Sequence, residues 1–254
     1  MYERCLQIFG AVTDLPGMVM REIEDIRGTI TLAMASHVVS PHLDRVLAEF
    51  AASHPSVDFV FPVLPSENVL SWVRQNRATA GICLIQTIPG DLDCQTLYHE
   101  HFAIFCGRRH RAFGRRDLGY DEWQGFDSVG VQTETRSGSL ASVRDMRERL
   151  GLPARHRGTS SSLHEVRRMI LAGIGVGALP IHVVAEDVRR GLLWQIEGHE
   201  PPARIPVYLV TRLGSRPDRE TAAFLLALKK MYEHVPPTDR DYSGLVSHRA
   251  LSSP

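Results

Sequence analysis

The residues in this chain best suited to chemistry are hydroxyls grouped just ahead of predicted helices: Ser36 beside His37 and then Ser40, Ser66, Thr133–Ser139 with Arg136 among them, and Ser160–Ser162. A helix start offers unpaired N–H groups and partial positive charge, and a hydroxyl adds one more hydrogen bond, so such loops suit a small anion. Serine is also a preferred N-cap, which gives Ser40, Ser66 and one of Ser160–Ser162 a structural use of equal weight. Ser36, His37, Thr133 and Arg136 have no capping role as obvious. Nucleophilic catalysis would need a base beside a hydroxyl, with Ser36 or Ser137 attacking and His37 or His101 accepting the proton. Nothing in the spacing brings such a pair together, and there is no G-x-S-x-G elbow. His99 and His101 stand two apart on one side of a predicted strand, yet no third metal ligand accompanies them, so they read as surface or packing residues. Cys5, Cys83, Cys94 and Cys106 show no CxxC spacing and read as small buried hydrophobes. Arg108–Arg116, with five arginines and His110, reads as a solvated turn.

These loops need elements to hold them. Ile30, Leu32 and Met34 alternate with small residues after Gly28, which predicts a strand. Ser40 then serves as N-cap and Pro41 as first helical residue for a helix carrying Leu43, Val46, Leu47 and Phe50. Val57–Val63, a helix capped by Ser66 with Val69, Leu70 and Val73, and the apolar run Ala80–Ile85 complete a strand–helix alternation that implies a parallel sheet. A second series follows, with strands at Phe126–Val131 and near Arg155–Thr159 and a helix carrying Leu140, Val143, Met146 and Leu150 that Gly151 ends. In Leu171–Pro180, LAGIGVGALP, Gly173 closes a helix begun near residue 161, Ile174–Leu179 reads as a buried strand, and Pro180 opens the next helix. The glycines at 173, 175 and 177 lie between a helix and a strand, the wrong order for a dinucleotide fingerprint. Strands are predicted at Leu192–Gln195 and at Ile205–Thr211, with Pro206 at the start of the latter, followed by a last helix with Ala222, Leu225, Leu226 and Leu228 as its apolar side. Residues 236–254 read as a disordered polar tail.

The chain has 254 residues, 43% of them hydrophobic, enough for a sizeable core. Its formal net charge is zero, so no overall field draws it to nucleic acid or to an anionic membrane. No apolar run reaches the roughly 18 residues that a membrane helix needs, and Met1–Gly28 carries charges where a signal peptide would be apolar, so a cytoplasmic protein is expected. No cofactor and no metal site is predicted.

Gly28 with ITLAM, the proline-led helix at Pro41, AEFAASHPSV at Ala48–Val57, HEHFAIFCGRRH at His99–His110, AGIGVGALP and RRGLL at Arg189–Leu193 together resemble the effector-binding domain of LysR-type transcriptional regulators over about residues 28–235. The resemblance implies an α/β architecture of the two-lobed, periplasmic-binding-protein-like (type 2) kind, with a ligand cleft between the lobes. One lobe would be about 28–104 with 207–235 and the other about 105–206, joined by two crossing strands. Residues 1–27, with an apolar stripe, would be the remnant of a linker helix, and the winged helix-turn-helix that family members carry ahead of it is absent from this sequence. The function expected is that of a sensor rather than an enzyme, binding a small, carboxylate-bearing effector through Ser36, His37, Ser66, Thr133, Arg136 and Ser161. The chain would self-associate as a homodimer or tetramer and meet DNA only through the helix-turn-helix that it lacks. An enzyme or a transporter's solute receptor on the same fold is the alternative.

Overall fold

The computed structural model describes residues 26–36, 38–116, 118–214 and 216–243. The reading of residues 1–27 as a linker helix therefore lies outside the described residues, save for Ile26 and Arg27, which lead without helix into the first strand. Strand β1 (Gly28–Met34) alternates as its sequence requires, with Ile30 and Leu32 buried, and pairs in parallel with β2 (Val57–Val60) on one side and β3 (Ala80–Leu84) on the other. Helix α1 (Pro41–Ser53) crosses between β1 and β2, and α2 (Ser66–Arg74) between β2 and β3. The Ser40 hydroxyl accepts the Leu43 N–H at 3.3 Å, the predicted cap, and Leu43, Val46 and Phe50 are buried.

The chain then runs through β4 (Leu92–Gly107), 16 residues long, whose first part pairs antiparallel with β9 (Ala203–Arg212) and whose last part pairs with β7 (Gly177–Pro180) and β8 (Leu193–Gln195). Together these strands make one sheet in the order β2-β1-β3-β9-β4-β7, with β8 also on β4. From Phe102 onward every residue of β4 is buried, so beyond His99 and His101 the strand is covered on both faces. Between β4 and β8 lie α3 (Tyr120–Gln124), β5 (Val129–Val131), α4 (Ala141–Leu150), β6 (Gly158–Ser160), α5 (Leu163–Leu171) and α6 (Ala185–Arg189). β5 and β6 pair in parallel as a small second sheet, tied to the β7 segment by a bridge between Ser128 and Val176. Helix α7 (Arg219–His234) packs back on α1 and β1.

Several expectations need correcting. Gly173 does close α5 in the left-handed region, at φ 78°, but the strand that follows starts only at Gly177, and Pro180 ends it opposite Phe102 rather than opening a helix. Pro206 lies within β9, not at its start, and an interior proline is normally excluded because it cannot donate to the ladder. It is tolerated because its partner His99 turns both its N–H and its C=O away from β9, to Arg240 and Tyr242, so no acceptor on β4 waits for the missing donor. On α7 the buried residues are Thr221, Phe224 and Leu228, whereas Leu226 is exposed, so the apolar side is rotated from the one read in sequence. The predicted disorder from residue 236 fails for 236–243, which fold onto β4, with Tyr242 buried. Residues 244–254 lie outside the described residues. The arginine turn is also less free than predicted: Arg111 donates to the Gly125 carbonyl at 2.7 Å and Arg115 pairs with Glu122 at 2.5 Å.

Candidate functional site

Parallel strands carry their following loops to one edge of a sheet, and here those loops come from both sheets to a common place. Ala35 and Ser36 after β1, Leu64 and Pro65 before α2 with Ser66 at its start, Val131 at the end of β5 with Gln132, Thr133 and Ser139 beyond it, and Ser161 before α5 line one cavity of about 70 Å³. That is well below the roughly 300–1,000 Å³ of drug-sized ligand sites, so it holds a very small molecule or must widen for a larger one. No ionisable side chain is among its described lining residues. What the cavity offers is hydroxyls, Gln132 and the start of α2 at Ser66.

The geometry follows from backbone ties. Met34 exchanges hydrogen bonds with Pro62 and Leu64 at 2.9 Å each, which holds the loop before α2 against the end of β1. Gln132 N–H donates to the Ser160 carbonyl at 3.0 Å and joins the loops after β5 and β6. Between Thr133 and Ser139 the chain folds sharply back: Leu140 N–H donates to the Thr133 carbonyl at 3.3 Å, and a Cβ on Gly138 would collide with that same carbonyl, which is why glycine is needed there. Next to the cavity the Gln86 amide after β3 donates across to the Arg136 carbonyl at 2.9 Å.

Behind the loop is a buried ion pair. Glu134 accepts the Val131 N–H at 2.7 Å with one carboxylate oxygen and Arg147 of α4 at 2.7 Å with the other, while Arg147 also donates to the Ser128 hydroxyl at 2.8 Å. Burial pushes the Glu134 carboxyl above the usual carboxylate range, partly offset by Arg147 and the Val131 N–H. His156, against the same guanidinium, is pulled down to about 4 by burial and by the Arg147 charge, so it stays neutral near pH 7. The pair fixes the backbone that presents Gln132 and Thr133.

Of the residues expected at the site, Ser36, Ser66, Thr133 and Ser161 line the cavity. His37 lies outside the described residues. Arg136 is exposed and absent from the lining, contributing its carbonyl to Gln86 instead of a cation to the cavity. Ser66 is not a cap: Pro65 holds that position, and the buried Ser66 hydroxyl accepts the Leu84 N–H at 3.3 Å. Ser162 is the N-cap of α5 but makes no side-chain cap bond, and its own N–H goes to the Ser160 hydroxyl at 3.1 Å. The nucleophile–base pairing is not assembled among the described residues, since His101 is held by Asp241 at 2.5 Å and Ser137 is exposed and outside the lining. Ser139, within the predicted Thr133–Ser139 loop, also lines the cavity, whereas Gln132, Gln86 and the pairing of Glu134 with Arg147 were missed. Thr133 to Ser139 was legible as one polar loop, but an Arg on α4 that reaches 13 positions back leaves no pattern in sequence.

The family model described as LysR substrate binding domain matches residues 24–233. Among named relatives, an uncharacterised HTH-type transcriptional regulator of Shigella flexneri, YfeR, is 28% identical over 62% of this chain and 50% of its own length. The HTH-type transcriptional activator BauR of Pseudomonas aeruginosa is 24% identical over 81% of this chain and 66% of its own length. The chain thus spans about half to two thirds of the length of these relatives. Among solved structures, the effector binding domain of QuiR in complex with shikimate superposes with a TM-score of 0.69 at 12% identity, covering 83% of this chain and 100% of that one. The Synechocystis CcmR regulatory domain in complex with 2-PG gives 0.67 at 20% identity, with the same coverage of both chains. At these identities the structures establish the fold: the two-lobed, periplasmic-binding-protein-like arrangement of type 2, with the cleft between its lobes.

Proposed function

We propose that this chain, which belongs to the LysR substrate binding domain family, is the effector-sensing part of a transcriptional regulator and that a small carboxylate bound between its lobes sets their separation. The observation that carries the ligand class is the cavity itself, where the hydroxyl residues Ser36, Ser66, Thr133 and Ser161 converge beside the start of α2 and no carboxylate side chain is among the described lining residues. QuiR, a neighbour in fold, holds shikimate, itself a carboxylate, which agrees with this reading. Lobe boundaries at about 28–104 with 207–235, and 105–206, follow from the same picture, with β4 and β9 as the crossing strands. The regulator would act in the cytoplasm as a homodimer or tetramer and meet DNA through a helix-turn-helix like the one that names its relatives.

The test is a calorimetric screen of small organic acids against the wild type, Ser36→Ala and Thr133→Ala, with melting temperatures of the free proteins alongside. Each substitution removes one hydrogen bond to the ligand, so binding weakens by about 0.5–1.5 kcal/mol while the free protein melts as before. A ligand that binds all three equally, or a substitution that unfolds the protein, places the site elsewhere.

A further inference from the structure

The last eight described residues, 236–243, lie beyond the stretch that matches the family, 24–233, yet backbone and side-chain hydrogen bonds tie them to β4, β9 and α1. After α7 the chain turns through Asp239 N–H to Pro236 and Arg240 N–H to Pro237, and then lies parallel beside β4. His99 N–H donates to the Arg240 carbonyl at 2.9 Å, and Tyr242 N–H donates to the His99 carbonyl at 3.0 Å. These are the backbone groups of His99 that face away from Pro206, so the segment completes the ladder at His99, ahead of the stretch 102–105 that β7 pairs.

Its side chains reach further. Arg240 donates to the Leu97 carbonyl at 2.6 Å, beside the register shift in the β4–β9 ladder, and sits 4.5 Å over the Tyr232 ring. Asp241 takes His101 at 2.5 Å and Arg204 at 3.2 Å, two residues directly opposite each other on the crossing strands. The Tyr242 hydroxyl lies 2.8 Å from the Ser40 hydroxyl and 3.1 Å from His42 Nδ1, at the start of α1, and its ring packs 4.8 Å from His182, just past β7. His182 in turn donates from Nε2 to the Val39 carbonyl at 3.1 Å. One short segment therefore grips the first helix of one lobe, both crossing strands, and the turn after β7 in the other lobe.

We propose that residues 236–243 form a clasp over the hinge and that Tyr242 is a positioning residue for the effector cleft. Tyr242 holds Ser40, the cap of α1 and the end of the loop that carries Ser36, at a fixed place relative to His182, and so restrains how far the lobes part. The inference rests on the cleft between the lobes being the effector site, because only then does their separation govern binding. A two-state opening keeps its minor form at about 0.1–10%. Loss of the clasp raises the open form above that range.

The experiment measures the separation directly and without any effector. Spin labels are placed at Gln75→Cys on the end of α2 and Arg168→Cys on α5, both exposed, in a background carrying Cys5→Ser and Cys94→Ser, since Cys83 and Cys106 are buried. Double electron–electron resonance should give one narrow distance in the parent, a broader and longer distribution in Tyr242→Ala, and an intermediate one in Tyr242→Phe, which keeps the ring but loses Ser40 and His42. Thermal melting is recorded for each. A lowered melting temperature with an unchanged distance distribution in both variants overturns the proposal and leaves the segment a plain stabiliser. If Tyr242→Ala does not fold, Tyr242→Phe and His182→Ala decide the matter by the same distances. A screen that finds no organic acid would count against the effector site but would leave these distances as they are.

Discussion

Replacing Arg147 by methionine tests whether the ion pair behind the cavity holds the site loop. Both partners are buried, Glu134 at 8% exposure and Arg147 at 4%, so the methionine fits the space of the arginine stem but strands a carboxylate whose remaining donor is the Val131 N–H. Removing one partner of a buried pair typically costs about 3–5 kcal/mol, because the desolvation of the other charge is no longer offset. The pH dependence has a definite sign. Burial already raises the folded-state pKa of Glu134 above its ordinary value, and Arg147 is what restrains that rise. Without Arg147 it rises further, so the folded variant takes up a proton that the unfolded chain binds only at lower pH, and its deficit shrinks as the pH falls from 7 toward 5. Urea unfolding at pH 7, 6 and 5 of the wild type, Arg147→Met and the double variant Glu134→Gln with Arg147→Met reads this out. The double variant should recover most of the loss at pH 7, since no charge is left stranded. A loss under about 1 kcal/mol for Arg147→Met, or a deficit that grows on acidification, would refute the argument.

Gly138→Ala should lose effector binding outright, with a stability loss of about 1–3 kcal/mol in thermal melts, because the new Cβ pushes on the Thr133 carbonyl. Trp123 is fully buried against Phe126, so Trp123→Ala should cost about 3–5 kcal/mol by denaturant titration without changing ligand preference in whatever protein remains folded. His156, held down to about 4, contributes stability that is complete above pH 6.5 and lost as the pH falls through 6.5 toward 4, so in a pH series of melts His156→Gln should flatten the wild type's acid limb. The isolated chain should show no salt-resistant, sequence-specific DNA binding in a gel shift, since a zero net charge gives little counterion release.

Much of the fold could be read from local patterns because local physics writes it. The Ser40–Pro41 helix start and the left-handed glycines at 151 and 173 are each set by the residues beside them, and each stands where periodicity put it. Pro206 and Pro180 were misplaced because a proline's tolerance depends on which way its partner strand's groups face, a property of the register and not of the neighbouring sequence. The polar composition of 236–243 matched a tail, and only the unfilled stretch of β4 at His99 makes it otherwise. At the site the hydroxyls were legible as loop residues, while the side on which Arg136 lies and the support of Glu134 were set by tertiary packing.

The order of the strands has a consequence during synthesis. β3 pairs with β9, and Leu84 meets Val207, which lies 207 − 84 = 123 residues later in the chain. At roughly 5–20 residues per second a ribosome needs about 6–25 s to make that stretch, and through all of it the side of β3 that β9 will cover stands open as an unpaired edge. The nascent chain thus carries an apolar strand, AGICL, that folding near the ribosome cannot bury by itself. Yield in the cell should therefore depend on translation rate and on chaperones that cover strand edges, even for variants whose finished form is as stable as the parent.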